Sequence, residues 1–254
     1  MNWERLREEI REAAAAVAGM LRDLPGDARL GRVDWSAAET GAHLVSLAPR
    51  YRELTRGPRP VPPSISAENA AALRAVLDGG GAPLADRLEA EVAALLDELG
   101  PDGGRRAWYF TVPHTSAGLG GVMLAELLLH GKDLATAAGR PWTITREQAV
   151  AGLSGVLPAM VVVADPARAR AAAGTYHLRL RPADDWTIRV GDAVTVERGR
   201  PARADLHLSA DPLGFLYSGY GFVSPVRAAL TGQVIAWGRR PWLAPRIGTL
   251  FTET

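Results

Sequence analysis

Hydrophobic positions recur at helical spacing from Asn2 to Leu24, in NWERLREEIREAAAAVAGMLRDL, and predict an amphipathic helix. A second helix is predicted to open at DWSAAETGAHLV, where Ser36 and Glu39 make an S-x-x-E capping box. SAENAAALRAVLD opens a third, with Ser66 as the expected N-cap, and LADRLEAEVAALLDELG a fourth that ends on Gly100. SAGLGGVMLAELLLHGKDLATAAGR reads as a fifth, closing with Gly139 near its C-cap. The last of this series follows TITREQ, and the breakers GPRPVPPSIS and GPDGGRR separate the units. The uncharged run from Gln148 to Ala164 contains Pro158 and is shorter than the ~20 apolar residues of a membrane-spanning helix. It is expected to be a helix apolar all round, buried centrally in a bundle.

After about Pro166 the period falls to 2. In TYHLRLR, Tyr176, Leu178 and Leu180 share one face, with His177, Arg179 and Arg181 on the other. WTIRV, AVTVER and ADLHLSA alternate in the same way, which predicts a half-buried antiparallel sheet. RPADD and RGRPA read as hairpin turns, and His177 and His207, opposite the apolar residues, are expected to be exposed. Helices are predicted at DPLGFLYSG and SPVRAALTG, then a strand at QVIAWG and a terminal helix at PWLAPRIGTLF. The change of period implies an α+β chain of two domains: a helical bundle over 1–168 and a small α/β domain over 169–254.

Composition narrows the chemistry. A net charge of +1 leaves no polyelectrolyte footprint, so nucleic acid is not an expected partner, although GGRRAWYF and GRRPWLAPR are locally basic. Glu and Arg interrupt the first residues before any apolar core develops, so they do not read as a signal peptide. No membrane partner is expected, and the expected location is cytoplasmic. The sequence holds no cysteine, which excludes a thiolate nucleophile, a disulfide framework and a thiolate metal site of its own. Any metal must be held by His and carboxylates, and any thiol chemistry must use a thiol from outside.

The stretch LAELLLHGKDLA, Leu124 to Ala135, carries Glu126 and His130 four residues apart in an otherwise apolar helical run. Residues i and i+4 lie one above the other on a helix face. Two readings stay open: a Glu–His hydrogen bond or polar pair, or two ligands of a metal. His43, in the similarly apolar ETGAHLVSL, is either a satisfied core histidine or the third member of a His-Glu-His set. Such a set suits zinc or another borderline divalent ion and leaves a coordination position open. Asp133 is either a partner that holds the His130 imidazole in its ligating tautomer or a surface ion-pair member beside Lys132. His114, in FTVPHTS, is expected to be a loop histidine without a role. Trp237 and Trp242 read as packing anchors, and Arg239, Arg240 and Arg246 as a solvated basic edge or a carboxylate site. GLGG lacks a preceding strand, and no G-x-S-x-G elbow or P-loop occurs.

Three stretches together resemble the mycothiol-dependent maleylpyruvate isomerase family: DWSAAETGAHLV, LAELLLHGKDLATAAGRPW and, more loosely, ADLHLSADPLGFLYSG with AALTGQVIAWGRRPWL. The resemblance spans nearly the whole chain. It implies a DinB-like four-helix bundle followed by a smaller α/β domain related to sterol carrier protein 2. Carried over residue by residue, it implies His43, Glu126 and His130 as metal ligands, most simply for Zn2+, with mycothiol as thiol cosubstrate. Arg227, Arg239 and Arg240 are the candidates for binding the thiol or a substrate carboxylate. The implied reaction is thiolate addition to a small electrophile, bond rotation and elimination. Alternatives are a mycothiol S-transferase that keeps the adduct, and a non-catalytic carrier of a small ligand or lipid. Either a monomer or a homodimer is compatible with this reading.

Overall fold

A computed structural model describes residues Met1 to Phe251. The chain forms two compact units, Met1–Val156 and a second from Leu157 onward. Thr252–Thr254, the end of the second expected domain, lie outside the described residues.

In the first unit four long helices pack on one another: α1 (Trp3–Asp23), α2 (Ala37–Leu54), α4 (Leu84–Leu99) and α5 (Ser116–Ala137). α3 (Ile65–Asp78) lies against α2. Their starts are written locally. Asn2 caps α1, Ser36 and Glu39 complete the capping box on α2, and Thr115 caps α5. Gly100 and Gly139 sit at their helix ends with φ of 74° and 63°, a region that costs other residues a Cβ clash. The α3 cap is Ser64, two residues before the expected Ser66, because the Ser64 hydroxyl accepts from the Ala67 amide and admits Ile65 into the helix. The core is aliphatic, with Ile10, Leu44, Leu88, Leu95, Leu119 and Leu124 fully buried.

Two features differ from expectation. The segment after GPDGG is a hairpin, β1 (Arg106–Tyr109) paired antiparallel with β2 (Val112–Thr115). Its turn holds Phe110 at φ 53°, and the Arg59 guanidinium lies 5.0 Å over the Phe110 ring. The run from Gln148 is not buried on all sides. α6 (Arg146–Ala159) buries Ala149, Leu153 and Val156 on one side only, and past Pro158 the chain turns into a short 3-10 helix, Met160–Val163. Glycines permit this packing. A Cβ at Gly155 would stand 2.3 Å from the Gly118 carbonyl oxygen and 2.6 Å from the Val122 nitrogen, so α6 meets the backbone of α5 directly. No helix among the described residues is long and apolar enough to cross a membrane.

After the end of α6 and the 3-10 turn, the second unit continues with α7 (Pro166–Ala171) and holds a five-stranded sheet of β3 (Gly174–Leu180), β4 (Asp185–Val190), β5 (Val194–Arg198), β6 (Leu206–Ala210) and β7 (Val234–Gly238). Short helices α8 (Pro212–Gly219), α9 (Pro225–Leu230) and α10 (Ala244–Gly248) complete it, the last preceded by a 3-10 turn at Pro241–Leu243. The order is β5-β4-β3-β6-β7, and the β3–β6 pair is parallel, so the sheet is mixed rather than antiparallel throughout. RPADD is a hairpin link, but RGRPA is not: it carries the chain from the β5 edge across to β6, which pairs with β3. Alternation reports which face is buried, not which strand lies alongside or in which direction. Tyr176, Leu178, Trp186, Ile188 and Leu206 fill the apolar face as expected.

The opposite face is not fully solvated. His177 is buried, contrary to expectation, and His207 is half-buried. Cross-strand register explains it, since His177 stands opposite His207, which stands opposite Trp237. The two Nδ1 atoms are 3.0 Å apart, His177 Nε2 is 2.7 Å from Asp185 Oδ1, and the His207 ring stacks on Trp237.

The glycine contact yields a paired prediction. Gly155→Ala should lower unfolding free energy by about 1–3 kcal/mol through overpacking. Gly19→Ala, mid-helix in α1 with nothing within 4 Å of the new Cβ, should raise it by about 1 kcal/mol. Denaturant melts of the two variants check both signs.

Candidate metal centre

His43 lies on α2 and Glu126 and His130 on α5, helices that pack directly on each other. The capping box at Ser36 sets where α2 begins, and hence which face His43 occupies. The i, i+4 spacing then stacks Glu126 and His130 on one face of α5. The result is convergent. His43 Nε2 and His130 Nε2 each stand 3.5 Å from the same carboxylate oxygen, Glu126 Oε2. These distances are long for hydrogen bonds. They match the roughly 3–4 Å expected between donors that each sit ~2.0–2.2 Å from one ion. One donor atom from each residue lies within 4.8 Å of the others, and among the described residues this is the cluster of three or more such groups able to hold a metal ion.

The protonation states suit a cation. Burial pushes the Glu126 carboxyl up, but the neighbouring His130 and His43 imidazoles outweigh it and hold the group well below the usual carboxylate range. Burial lowers the His43 imidazole, with Glu126 only partly opposing, so His43 is neutral at pH 7. An ionised carboxylate beside a neutral imidazole is the donor state a divalent ion requires. The side chain of Glu126 is 21% exposed and that of His130 13%, so the cluster keeps an open side.

The surroundings contain residues that sequence reasoning passed over. The Trp35 ring lies 4.9 Å from the His43 ring and 5.7 Å from the His130 ring, covering both imidazoles. Tyr109, on β1, is held neutral: burial raises its phenol, and the Glu126 charge raises it further. Neither stands in a helical period that would have drawn attention to it. Trp35 precedes its helix, and Tyr109 belongs to the unexpected hairpin.

The remaining candidates fall differently. Asp133 is 2% exposed and is no surface ion-pair member beside Lys132; Arg32 grips it with two bonds, Nε to Oδ1 at 2.8 Å and Nη2 to Oδ2 at 2.6 Å. Its Oδ2 lies 3.8 Å from His130 Nδ1, outside hydrogen-bond range. His114 does have a role. It is on β2 rather than in a loop, is buried, and its Nε2 meets the Gly155 carbonyl at 3.0 Å, bracing α6. Of the candidate arginines, all in the second unit, Arg227 is exposed on α9, Arg239 pairs with Asp205 at 3.0 Å, and Arg240 donates to the Ala173 carbonyl at 3.0 Å.

A pH dependence follows from the His43 shift. Because its imidazole binds protons less readily than a free one, protonation should compete with a metal only as pH falls below ~6.5. Zinc retention after gel filtration should therefore be flat from pH 8 to about 6.5 and decline below that. Retention unchanged down to pH 4.5 would contradict ligation through an imidazole.

No family model matches the chain, and no curated protein matches it. Solved structures do. Sterol carrier protein 2 like 2 from Aedes aegypti aligns with 42% of this chain and 99% of its own at 18% identity and a TM-score of 0.36. Sterol carrier protein 2 from Yarrowia lipolytica covers 39% of this chain and 88% of its own, at 18% identity and a TM-score of 0.32. A mycothiol-dependent maleylpyruvate isomerase covers 93% of both chains at 15% identity and a TM-score of 0.52. The chain thus shares the fold of a mycothiol-dependent maleylpyruvate isomerase along nearly its whole length, as the three sequence stretches had implied.

Proposed function

We propose that the chain is a metal-dependent enzyme that uses mycothiol, a small external thiol, against a small electrophile in the manner of a maleylpyruvate isomerase. The observation that carries this reading is the convergence of His43 Nε2 and His130 Nε2 on one oxygen of Glu126, inside an otherwise aliphatic bundle. A divalent ion held there would supply the charge that keeps an incoming thiol deprotonated at neutral pH, well below its free pKa of ~8.5.

The chain's own residues have separable tasks. His43, Glu126 and His130 would hold the ion with three donors, one fewer than a closed structural site uses. Trp35 covers the imidazoles on one side and keeps water from the ligands. Tyr109, neutral at working pH, keeps its phenolic proton within the field of the Glu126 carboxylate. The absence of cysteine means that the reacting sulfur comes from outside. In the isomerase reading that sulfur adds to one carbon of a cis double bond conjugated to a carbonyl, and the electron pair moves onto the carbonyl. The resulting single bond rotates, the pair returns, and the thiol leaves with the trans product, so no atom is gained or lost.

The test is turnover by zinc-loaded protein with mycothiol and maleylpyruvate, followed by NMR. Catalytic formation of fumarylpyruvate with recovery of free thiol is the expected outcome, and His43→Ala should lower kcat/KM by more than about 100-fold. A stable thioether consuming thiol one for one would replace isomerase with S-transferase. No thiol-dependent product from fully loaded protein would remove the catalytic reading.

A further inference from the structure

If the triad holds a metal, as proposed above, one segment of the chain is placed to govern how firmly. Between α1 and α2 the backbone folds back on itself. The Leu30 amide donates to the Trp35 carbonyl at 3.3 Å, the Ala37 amide donates to the Ala28 carbonyl at 2.9 Å, and Gly31 turns the tip at φ 81°. From that tip Arg32 reaches α5 and grips Asp133 with two parallel bonds of 2.8 and 2.6 Å. At the base Trp35 lies against His43 and His130, nearly parallel to the latter at 26°. One short segment therefore both covers the two imidazoles and fixes a carboxylate less than a turn beyond His130.

The imidazoles explain why this matters. Nδ1 of His43 and Nδ1 of His130 are both buried without a hydrogen-bond partner. An imidazole that ligates through Nε2 carries its proton on Nδ1, and that N–H is best held by a carboxylate. The acceptor available to His130 is Asp133 Oδ2 at 3.8 Å, about 1 Å beyond a good hydrogen bond. Each oxygen of Asp133 takes one bond from Arg32 and has lone-pair capacity left. Arg32 thus holds a buried carboxylate in place without exhausting its acceptor capacity.

We infer that Arg32 and Asp133 form a latch that seats Trp35 on the ligand imidazoles, and that this latch sets metal affinity and residence time. Arg32 and Trp35 are positioning residues, since neither supplies a ligand atom. Release of the fork frees the Arg32 tip, lifts the indole from the rings and opens the ligands to water.

Cobalt(II) tests this on the full chain, with affinity from chelator competition, off-rate from chelator capture, and geometry from the visible absorption of the bound ion. Arg32→Met, which keeps the stem and removes the fork, should bind about 10–100-fold more weakly and release faster by a similar factor. Arg32→Lys should recover only part of this, because an ammonium cannot bond both oxygens in parallel. Trp35→Leu should weaken binding and alter the cobalt spectrum. Arg22→Met, which breaks ion pairs to Asp86 and Glu89 elsewhere in the bundle, should leave all three readouts unchanged. Parent-like affinity and off-rate in both Arg32→Met and Trp35→Leu would overturn the latch while leaving the metal site standing. A parent that takes up no cobalt would remove the metal reading, and the latch with it. Should Arg32→Met fail to fold, Trp35→Leu decides the matter.

Discussion

An ionised carboxylate inside an aliphatic helix bundle is costly unless opposite charge or good donors compensate it. Glu126 sits among Leu124, Leu127, Leu128 and Leu129, and nothing in α5 itself except His130 offsets it. The other partner, His43, has to arrive from α2, so the packing of α2 on α5 and the site's chemistry are one constraint. The capping box that starts α2 sets the phase of His43, and the glycines of α5 and α6 let backbones close where side chains would hold them apart. Without a cation the carboxylate is shared between two imidazoles at 3.5 Å, an arrangement looser than either ring would choose alone. That looseness has a physical reading: the three groups are spaced for something other than one another.

Much of this was legible in the sequence because it rests on local periodicity. The E-x-x-x-H pair declares itself as two polar groups at helical spacing in an apolar run, and the helix caps and the switch to period 2 are equally local. What escaped notice depends on contacts between distant segments. The parallel pairing of β3 with β6 cannot be read from alternation, which is the same for either direction. His177 alternates like an exposed residue yet is buried, because its neighbours across the strands, His207 and Asp185, close over it. His114 looked idle because its partner, the Gly155 carbonyl, is 41 residues away. Trp35 and Arg32 carry no motif at all; their meaning comes from a loop that folds back on α5, 101 residues beyond Arg32.

The division of labour that results is a common one. Under the proposed function the three donors would come from helices, which hold atoms to fractions of an ångström, whereas the cover would come from a loop. A thiol-using reaction would benefit from both, from donors that hold an ion firmly and from a cover that limits water at them. The fold shared with a mycothiol-dependent maleylpyruvate isomerase fits this picture but does not carry it; the chemistry rests on the donor set and its protonation states.

The most direct test of the central claim is elemental analysis of purified protein beside a His43→Ala/Glu126→Ala/His130→Ala variant of matched secondary structure. The account predicts about one divalent metal ion per chain in the parent, zinc foremost, and none in the variant. A parent that stays metal-free after incubation with zinc, or a variant that retains as much metal as the parent, would contradict it.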